Sequence, residues 1–368
     1  MTVFCALPIR KKAVFVSYHG KYSNCSPRAI YEELRRQMPE CRYIWLMRDT
    51  SATVDGAEVV KFNSVKAIYH LATSVLWVDN SRKPVWTVKR KGQYYVQTWH
   101  GNIALKKVEG DAESKLPAEY VAEAKHDSEC ADLFISGCRW RTNNFRTAFW
   151  YDKEVLEYGL PRSDVLYRGA EEAKARVRDF YGLPENVNIV LYAPTFRNSY
   201  SLEPYLTKGD CDGVLTAFKK RYGGDWVLIL RLHPNIADRQ GSIGYSSQIL
   251  NGSKYSDIND LIISCDTLIT DYSGCMFDGL EAGKKVLLYA MDVNEYMKDE
   301  RDFYFSFDEL PFPLTTSINE LTSCIENFDE EEYAQRSAEF SRRIGNFNSA
   351  DSSRKVSEYI VRKIKALL

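Results

Sequence analysis

The sequence predicts an α/β protein with two units, each built on a doubly wound parallel sheet. Short β-rich runs alternate with helical stretches over most of the 368 residues, and this alternation is typical of parallel sheets with crossover helices. The pattern restarts after "YGLPRSDVL" (158–166), and a chain of this length suits two hydrophobic cores better than one. We therefore expect two Rossmann-like domains that meet near residue 160.

In the first half of the chain, the expected strands are separated by amphipathic helices. The helix "SPRAIYEELRRQM" (26–38) follows the first strand, with Ser26 as its expected cap and Pro27 at its first position. A second helix is expected over residues 64–73. The expected strands are "AVFVSY" (13–18), "RYIWLM", "AEVVKF", "SVLWVDN", "QYYVQTW" (93–99) and "ADLFIS" (131–136).

The second half repeats this alternation. A helix over residues 170–181 ends at "YGLPEN", and the helical segment "INDLIISC" precedes a strand that is followed by a helix from Ser273. The chain is expected to be helical from about residue 316 onward. The expected strands are "VNIVLYAP", "DWVLILRLHP", "TLIT" and "KKVLLYA".

Composition and charge narrow the range of functions. The net charge is −1, so no global attraction to nucleic acid or anionic lipid is expected. The nine cysteines form no Cys-x-x-Cys pair and no zinc-binding spacing, which indicates free thiols in a reducing, cytoplasmic location. The N-terminal run "MTVFCALPIRKK" is too short for a signal peptide or a membrane span.

Several nucleotide-binding motifs are absent from the sequence. No Gly-x-x-x-x-Gly-Lys-Ser/Thr loop occurs, and no Gly-x-Gly-x-x-Gly follows an expected strand, which disfavours P-loop nucleotidases and dinucleotide oxidoreductases. No His-Glu-x-x-His motif occurs either, and the sequence does not demand a divalent metal. A phosphate at the site would then be stabilised by dipoles and side-chain cations.

Polar side chains follow several expected strands at the point where each strand ends. Parallel sheets bind ligands beyond the carboxyl ends of their strands, so two facing domains would form a cleft there. Three of the five histidines occur at such ends, and the first of them is His19 in "HGKYSNCSPR" after the first expected strand. The residues concerned are His100, Gly101, Asn102 and Lys106 after "QYYVQTW", Arg197 after "VNIVLYAP", His233 after "DWVLILRL", and Asp271, Ser273 and Gly274 after "TLIT".

This set of residues suits a phosphorylated substrate. A helix beginning at Ser273 and Gly274 would offer N–H groups to a phosphate, and Arg197 and His233 could neutralise its oxygens. His100 could remove a proton from an attacking hydroxyl. Each residue also has a structural interpretation, as a helix cap, a solvated cation or a strand end. Their joint placement favours the functional interpretation.

Five longer segments identify a family resemblance. They are "NSRKPVWTVKRKGQYYVQTWHGNIALKKVEGD", "YGLPRSDVL", "LYAPTFR", "LRLHPN" and "LITDYSGCMFDGLEAGKKVLLYAMDVNEYMKDERDFYF". In this order they resemble the CDP-glycerol glycerophosphotransferase family, and the resemblance covers residues 13–310. Members of the family prime or polymerise wall teichoic acid, and related members build phosphate-containing capsules.

The resemblance implies a GT-B fold, in which two Rossmann-like domains face each other across a cleft. Residues 1–160 would form the acceptor-side domain, residues 161–345 the CDP-alditol-binding domain, and residues 346–368 a C-terminal helix packing back on the first domain. It also implies transfer of an alditol phosphate from a CDP-alditol to a hydroxyl of a lipid-linked acceptor, with release of CMP.

The resemblance also implies roles for residues at matching positions. His100 matches the family's proposed base, and His233 matches a second essential histidine near the donor phosphates. Asn102-Ile103 and Ser273-Gly274 depart from the Thr-Pro and Ser-Ser pairs that are frequent in the family. The further expected contacts are Arg197, Asp271, Ser273 and Gly274 for the donor, Asp278 or Glu281 for ribose hydroxyls, and Gly101, Asn102 and Lys106 for acceptor or phosphate.

The expected partners are CDP-glycerol or CDP-ribitol, a lipid-linked saccharide or polyol-phosphate acceptor, and the anionic inner surface of the cell membrane. No cofactor, metal or nucleic acid is expected. The stretch "RKPVWTVKRK" (82–91) carries five cations beside apolar residues, which is typical of a lipid-facing segment or of a solvated loop. The C-terminal "SRKVSEYIVRKIKALL" is also basic and amphipathic, and we interpret it as packing against the protein.

Other functions remain compatible with these residues. A GT-B glycosyltransferase that uses a nucleotide sugar would use the same cleft. A non-catalytic nucleotide-binding scaffold is disfavoured because His100, His233 and Ser273 are all present. The choices between glycerol and ribitol, primase and polymerase, and teichoic acid and capsule stay open, as do the acceptor and the oligomeric state.

Overall fold

The chain divides into two compact units. The computed structural model describes residues 1–195, 205–232, 244–299 and 302–368. Unit 1 consists of Met1–Asn102, Val108–Asp164 and Ile344–Leu368, and unit 2 consists of Ile103–Lys107 and Val165–Arg343. The chain therefore leaves unit 1 directly after Asn102 and returns to it at Val108 and again at Ile344.

The strands of unit 1 are β1 (Arg10–Phe15), β2 (Arg42–Met47), β3 (Glu58–Lys61), β4 (Ser74–Asp79), β5 (Tyr94–Gln97), β6 (Leu133–Ile135) and β7 (Glu154–Leu156). They form one sheet in the order β3-β2-β1-β4-β5-β6-β7, and every neighbouring pair is parallel. The order reverses between β1 and β4, so the carboxyl ends of these two strands mark the point where such sheets bind ligands.

The described strands of unit 2 are β8 (Asn188–Tyr192), β9 (Trp226–Leu230), β10 (Ile249–Asn251), β11 (Thr267–Thr270), β12 (Lys285–Tyr289) and β13 (Leu314–Thr315). They also form a parallel sheet, in the order β10-β9-β8-β11-β12-β13. The reversal here lies between β8 and β11, which occupy the same relative positions as β1 and β4 in unit 1.

The helices connect and cover these strands. Those before residue 200 are α1 (Cys25–Gln37), α2 (Val65–Thr73), α3 (Ala118–Cys130), α4 (Arg139–Ala148), α5 (Asp164–Tyr167) and α6 (Ala170–Tyr181). Those after it, among the described residues, are α7 (Lys208–Tyr222), α8 (Ile258–Ser264), α9 (Cys275–Glu281), α10 (Val293–Asp299), α11 (Ile318–Glu326), α12 (Glu330–Ile344) and α13 (Ser352–Lys365).

Each strand of the unit 1 sheet contributes to two apolar layers. Phe15 packs in the layer that contains Trp45, whereas its neighbour Val14 packs in the opposite layer with Trp77. Successive side chains of a strand point to opposite faces of the sheet, so a strand covered on both faces requires a continuous apolar run. The predicted α/β class with two parallel sheets is therefore confirmed.

The sequence prediction differs from the structure at the start of α1 and at the sheet edges. Ser26 does not cap α1, because the helix begins at Cys25 with Asn24 as its N-cap residue. Ser26 is buried instead, and its Oγ accepts a hydrogen bond from the Arg162 N–H at 3.3 Å. The strands β7, β10 and β13 were not predicted, and all three are edge strands of two or three residues. Such short strands lack the apolar run that signals a buried strand.

The C-terminal helix α13 packs within unit 1. Its buried residues Val356, Ile360 and Ile364 share an apolar layer with Leu34 of α1. Its first turn is held by the Asp164 carboxylate, which accepts a hydrogen bond from the Ser353 N–H at 3.0 Å. The apolar stripe predicted for this segment therefore faces protein.

Replacing Ile360 by Ala is expected to destabilise unit 1. The side chain of Ile360 is fully buried (0% exposed), so truncation removes buried methyl groups and leaves a cavity, which costs about 2–5 kcal/mol of unfolding free energy. Urea unfolding followed by circular dichroism measures the change. Leu367→Ala is the control, because this leucine is 43% exposed and should change the free energy by less than about 0.5 kcal/mol. Equal effects of the two substitutions would contradict the packing of α13.

Candidate active site

His100 lies beyond the end of β5, beside the end of β4. The Thr98 N–H donates to the Asp79 carbonyl at 2.8 Å, and the Trp99 N–H donates to Oε1 of Gln97 at 2.9 Å. Trp99 has a positive φ of 52°, which turns the backbone sharply at this point. As a result Nδ1 of His100 lies 3.0 Å from the carbonyl oxygen of Asn80.

This hydrogen bond determines which nitrogen of His100 is available for chemistry. A carbonyl oxygen only accepts hydrogen bonds, so Nδ1 must carry the proton and Nε2 keeps its lone pair. The imidazole stacks on the indole of Trp99, with ring centroids 4.2 Å apart, and the residue is exposed. His100 therefore presents a fixed, accessible acceptor for a proton.

The surroundings of His100 keep its imidazole neutral. Desolvation by the surrounding protein, together with the guanidinium groups of Arg141, Arg162 and Arg82, lowers the pKa of His100 from 6.5 to about 4, although the hydrogen bond to Asn80 opposes this shift. Solvent reaches the ring, which limits the desolvation without reversing its direction. At pH 7 the imidazole is a neutral base, as general-base catalysis requires.

Asn80 connects the ends of β1 and β4, and the sequence alone predicts no role for it. Its Oδ1 accepts a hydrogen bond from the Tyr18 N–H at 2.8 Å, and its Nδ2 donates to Oγ of Ser17 at 3.2 Å. Tyr18 has a positive φ of 48°, which is rare for a residue with a side chain. The Asn80 side chain thus holds a strained loop while its carbonyl positions His100.

Arg82 and Lys83 lie beneath this site rather than on the surface. Arg82 is 4% exposed and its guanidinium binds Glu109 at 2.7 Å and Asp127 at 3.1 Å. Lys83 is 5% exposed and binds the Asp79 carboxylate at 2.7 Å. The prediction that the cations of residues 82–91 face lipid or solvent is therefore wrong for these two. Buried charges need such partners because desolvation is costly.

The Arg82 cluster also supports the residues that precede His100. The guanidinium carbon of Arg82 lies 5.3 Å from the ring centroid of Trp99 and 5.1 Å from that of Phe149. Gln97 donates from Nε2 to the Asp127 carboxylate at 3.0 Å while its Oε1 holds the Trp99 backbone. The polar run "DNSRK" after β4 is the sequence signal that could have revealed this cluster.

The two residues that follow His100, Gly101 and Asn102, are both shielded from solvent, to different degrees. Asn102 is 6% exposed, its carbonyl accepts a hydrogen bond from Nε of Arg141 at 2.6 Å, and its amide packs over Gly137. Oδ1 of Asn102 is shielded from solvent and has no hydrogen-bond partner among the described residues. Gly101 is half-buried. A direct contact of Asn102 with an acceptor stays a prediction.

Lys106 belongs to unit 2, unlike His100. It forms an isolated antiparallel bridge with Phe303, and its Nζ lies 4.7 Å from the ring centroid of Tyr296. The Tyr296 ring in turn stacks on Tyr272, with centroids 3.7 Å apart. Lys106 is therefore placed beside the residues that follow β11.

Asp271, predicted to bind the donor, positions backbone in this structure. It is 1% exposed, and its Oδ1 accepts hydrogen bonds from the Thr195 N–H at 2.8 Å and the Tyr272 N–H at 2.6 Å. These bonds join the loop after β8 to the end of β11, at the reversal of the unit 2 sheet. The carboxylate therefore fixes the backbone of Thr195 against the end of β11.

The helix predicted to begin at Ser273 begins two residues later, at Cys275. Gly274 is its N-cap residue, with a φ of −58°, so no positive φ requires glycine here. Oγ of Ser273 accepts a hydrogen bond from the Cys275 N–H at 3.4 Å. Among the residues that the structure describes, a Cβ on residue 274 would meet only the Ile103 carbonyl oxygen, at 3.9 Å, so this part of the structure leaves the backbone at Gly274 uncrowded.

Of the four remaining predicted residues, two lie within the described part of the chain and two do not. Asp278 and Glu281 lie on α9 and are half-buried. Arg197 and His233 lie outside the described residues. Across residues 1–195, 205–232, 244–299 and 302–368, no three His, Cys, Asp or Glu side chains are grouped to hold a metal ion.

Comparison with known proteins shows which family the chain matches. The model of the family described as CDP-glycerol:poly(glycerophosphate) glycerophosphotransferase matches residues 1–362. A solved structure of the wall teichoic acid polymerase TagF, its H444N variant with CDPG, has a TM-score of 0.87 and 32% identity, and the match covers 97% of this chain and 90% of that one. This similarity confirms the predicted GT-B fold class.

Two curated relatives are informative. The teichoic acid poly(glycerol phosphate) polymerase of Staphylococcus epidermidis is 33% identical over 96% of this chain and 51% of its own length. The chain thus spans about half the length of that relative. The teichoic acid ribitol-phosphate primase of Bacillus spizizenii is 29% identical over 96% of this chain and 92% of its own length.

The pH dependence of turnover is expected to reflect the lowered pKa of His100. A base is active when deprotonated, so kcat/KM should fall only below the ordinary value of 6.5, as the pH approaches about 4. Arg162→Gln removes one of the cations that lower this pKa, and should move the acidic limb upward. His126→Gln, which changes a histidine on α3, should leave the limb in place. An acidic limb at or above 6.5 in the native protein would contradict the assignment.

Proposed function

Because the chain belongs to the CDP-glycerol:poly(glycerophosphate) glycerophosphotransferase family, we propose that it transfers glycerol phosphate from CDP-glycerol to an acceptor hydroxyl and releases CMP. The observation that carries the proposal is the state of His100, whose Nδ1 is fixed by the Asn80 carbonyl at 3.0 Å and whose Nε2 is left as a neutral acceptor. An acceptor hydroxyl needs such a base to become a nucleophile.

The proposed reaction is a single displacement at phosphorus. Nε2 of His100 takes the proton of the acceptor hydroxyl as its oxygen attacks the glycerol-bearing phosphorus of CDP-glycerol. The bond from that phosphorus to the bridging oxygen breaks, CMP leaves with the bond electrons, and the imidazolium returns its proton to solvent. Positioning and electrostatic stabilisation supply most of the rate enhancement in such transfers.

The donor is assigned to unit 2. The backbone at Ser273 and Gly274 would contact the phosphates, and Arg197 and His233 would neutralise the charge that develops on the leaving CMP. Asp278 or Glu281 would bind ribose hydroxyls. Only Gly101 and Asn102 separate His100 from Ile103, whose carbonyl lies beside Gly274, and this supports their use in one reaction.

The acceptor is proposed to be a lipid-linked teichoic acid precursor at the inner face of the cell membrane. The names of the relatives favour teichoic acid over a capsule. A ribitol-phosphate primase among those relatives makes CDP-ribitol the second candidate donor. Neither a cofactor nor a metal ion is part of the proposal.

Removing the imidazole of His100 is expected to abolish most of the transfer. His100→Ala should lower kcat by about 10²–10⁴-fold, the usual contribution of a general base, with little change in the KM for CDP-glycerol. Acceptor-dependent release of CMP measures the rate. His126→Gln is the matched control and should retain native activity, because this histidine lies away from the strand ends. A His100→Ala enzyme with near-native kcat would exclude the proposed base.

A panel of donors tests the substrate. With CDP-glycerol, mass spectrometry of the acceptor should show the addition of glycerol phosphate units, together with acceptor-dependent release of CMP. CDP-ribitol is the alternative donor, and an acceptor that gains ribitol phosphate instead would replace glycerol in the proposal. Release of UDP from a UDP-sugar, with no release of CMP from either CDP-alditol, would overturn the reaction class.

A further inference from the structure

The loop after β1 brings an aromatic ring to the candidate base. Tyr18, the third residue after β1, is half-buried, and its ring centroid lies 5.7 Å from that of the His100 imidazole, with 53° between the ring planes. The indole of Trp99 contacts the same imidazole, with centroids 4.2 Å apart and 29° between the planes. Two aromatic rings from separate loops therefore contact the base.

Both rings are carried on a backbone conformation that is rare for such residues. Tyr18 has a φ of 48° and Trp99 a φ of 52°, and a bulky residue in this left-handed region is strained unless the surrounding structure holds it there. In each case a side-chain oxygen at a strand end supplies the restraint. Oδ1 of Asn80 accepts a hydrogen bond from the Tyr18 N–H at 2.8 Å, and Oε1 of Gln97 accepts one from the Trp99 N–H at 2.9 Å.

The rest of the loop after β1 is tied to the ends of β2 and β4. The His19 N–H donates to Oγ of Ser81 at 3.0 Å, and the His19 carbonyl accepts a hydrogen bond from Nε of Arg48 at 2.9 Å. The Arg48 N–H donates in turn to the Gly20 carbonyl at 2.7 Å. Strained backbone that is restrained at so many points is typical of functional sites, and here it anchors the ring of Tyr18 to the sheet.

The hydrogen bond between His100 and Asn80 does not by itself fix the plane of the imidazole. It places Nδ1 at 3.0 Å from a carbonyl oxygen, whereas the position of Nε2, the atom that would accept the proton, depends on how the ring is tilted. The χ2 torsion of histidine has broad minima, so contacts with the ring are needed to select one tilt. The rings of Tyr18 and Trp99 make such contacts.

We propose that Tyr18 is a positioning residue for the transfer reaction, and that its ring holds the imidazole of His100 at the tilt that directs Nε2 toward the acceptor hydroxyl. The role rests on the proposed function, in which His100 is the base, and deepens it by naming a second segment of unit 1 that the reaction requires. Because the contact is made by the ring, the phenol hydroxyl is not needed. Tyr18 takes part in no bond-making or bond-breaking step.

Removing the ring of Tyr18 tests this role. Tyr18→Ala should lower kcat by about 10–10²-fold, because a small displacement of a catalytic group can cost that much, and should leave the KM for CDP-glycerol unchanged. Tyr18→Phe keeps the ring and should retain near-native kcat. Tyr18→Leu keeps apolar bulk without a ring, should resemble Tyr18→Ala, and serves if the alanine variant does not fold. Acceptor-dependent release of CMP measures the rates, and circular dichroism checks the fold.

Tyr22→Ala is the matched control. Tyr22 belongs to the same loop and is 52% exposed. Its ring contacts that of Tyr18, with centroids 6.1 Å apart, but not that of His100 among the described residues. Its removal should leave kcat near the native value. Equal losses of kcat in Tyr18→Ala and Tyr22→Ala would assign the effect to the loop as a whole and overturn the role of the Tyr18 ring.

A double substitution shows whether Tyr18 acts through His100. The His100→Ala enzyme has no imidazole to orient, so adding Tyr18→Ala should not lower its residual rate further. The same fold loss of kcat in the native and the His100→Ala backgrounds would mean that Tyr18 acts on the substrate directly, which would exclude the positioning role.

Nuclear magnetic resonance of isotope-labelled histidine reports on His100 without turnover, and its signal is identified by its absence from His100→Ala. Desolvation is the largest cause of the lowered pKa of His100, so Tyr18→Ala, which admits water to the imidazole, should raise that pKa toward 6.5, and Tyr18→Phe should leave it unchanged. The cations that also lower this pKa, Arg141, Arg162 and Arg82, are the same in all these variants. An unchanged titration in Tyr18→Ala would contradict the proposed contact.

The two kinds of measurement keep the positioning role and the proposed function distinguishable. If the native protein transfers nothing to any acceptor but Tyr18→Ala changes the titration of His100, the proposed function fails while the positioning of the imidazole stands. If the native protein transfers glycerol phosphate through His100 but Tyr18→Ala keeps the native kcat and titration, the positioning role fails alone.

Discussion

The buried guanidinium of Arg82 is the interaction on which the candidate site of unit 1 depends. It lies between two carboxylates, Glu109 at 2.7 Å and Asp127 at 3.1 Å, and is 4% exposed. Loss of one partner of a buried ion pair costs about 3–5 kcal/mol, because a charge is left without compensation. The three residues lie on separate segments, at the end of β4, before α3 and within α3, so their pairing fixes how these segments meet beneath the aromatic ring that precedes His100.

The same cluster explains how the imidazole of His100 is held in one orientation. The ring of Trp99 contacts Arg82, with 5.3 Å between ring centroid and guanidinium carbon, and it also stacks on the imidazole of His100. Its backbone is fixed by Gln97, which also binds Asp127. A base that is oriented before substrate arrives requires little reorganisation during reaction. Buried charge thus supports an exposed, neutral histidine.

The two units fix their strand-end loops in the same way. In unit 1 the residue after β4, Asn80, accepts a hydrogen bond from the N–H of Tyr18, the third residue after β1. In unit 2 the residue after β11, Asp271, accepts one from the N–H of Thr195, the third residue after β8. Both side chains are buried and both lie where the strand order reverses. A parallel sheet opens a crevice there, and in each unit one short polar side chain sets its lining.

The sequence by itself determined the α/β class, most of the central strands and helices, and the position of His100 at a strand end, because hydrophobic periodicity and turn residues are local signals. It also placed α6 at residues 170–181, as the structure does. The edge strands β7, β10 and β13 were not predicted, because two or three residues are too few to show hydrophobic periodicity. Tertiary structure alone decided that Arg82 and Lys83 are buried, that Asn80 holds His100, and that Lys106 belongs to unit 2. These three features depend on contacts between residues that are far apart along the chain, such as Arg82 and Asp127. The sequence alone does not show whether a cationic side chain is solvated or paired with a carboxylate.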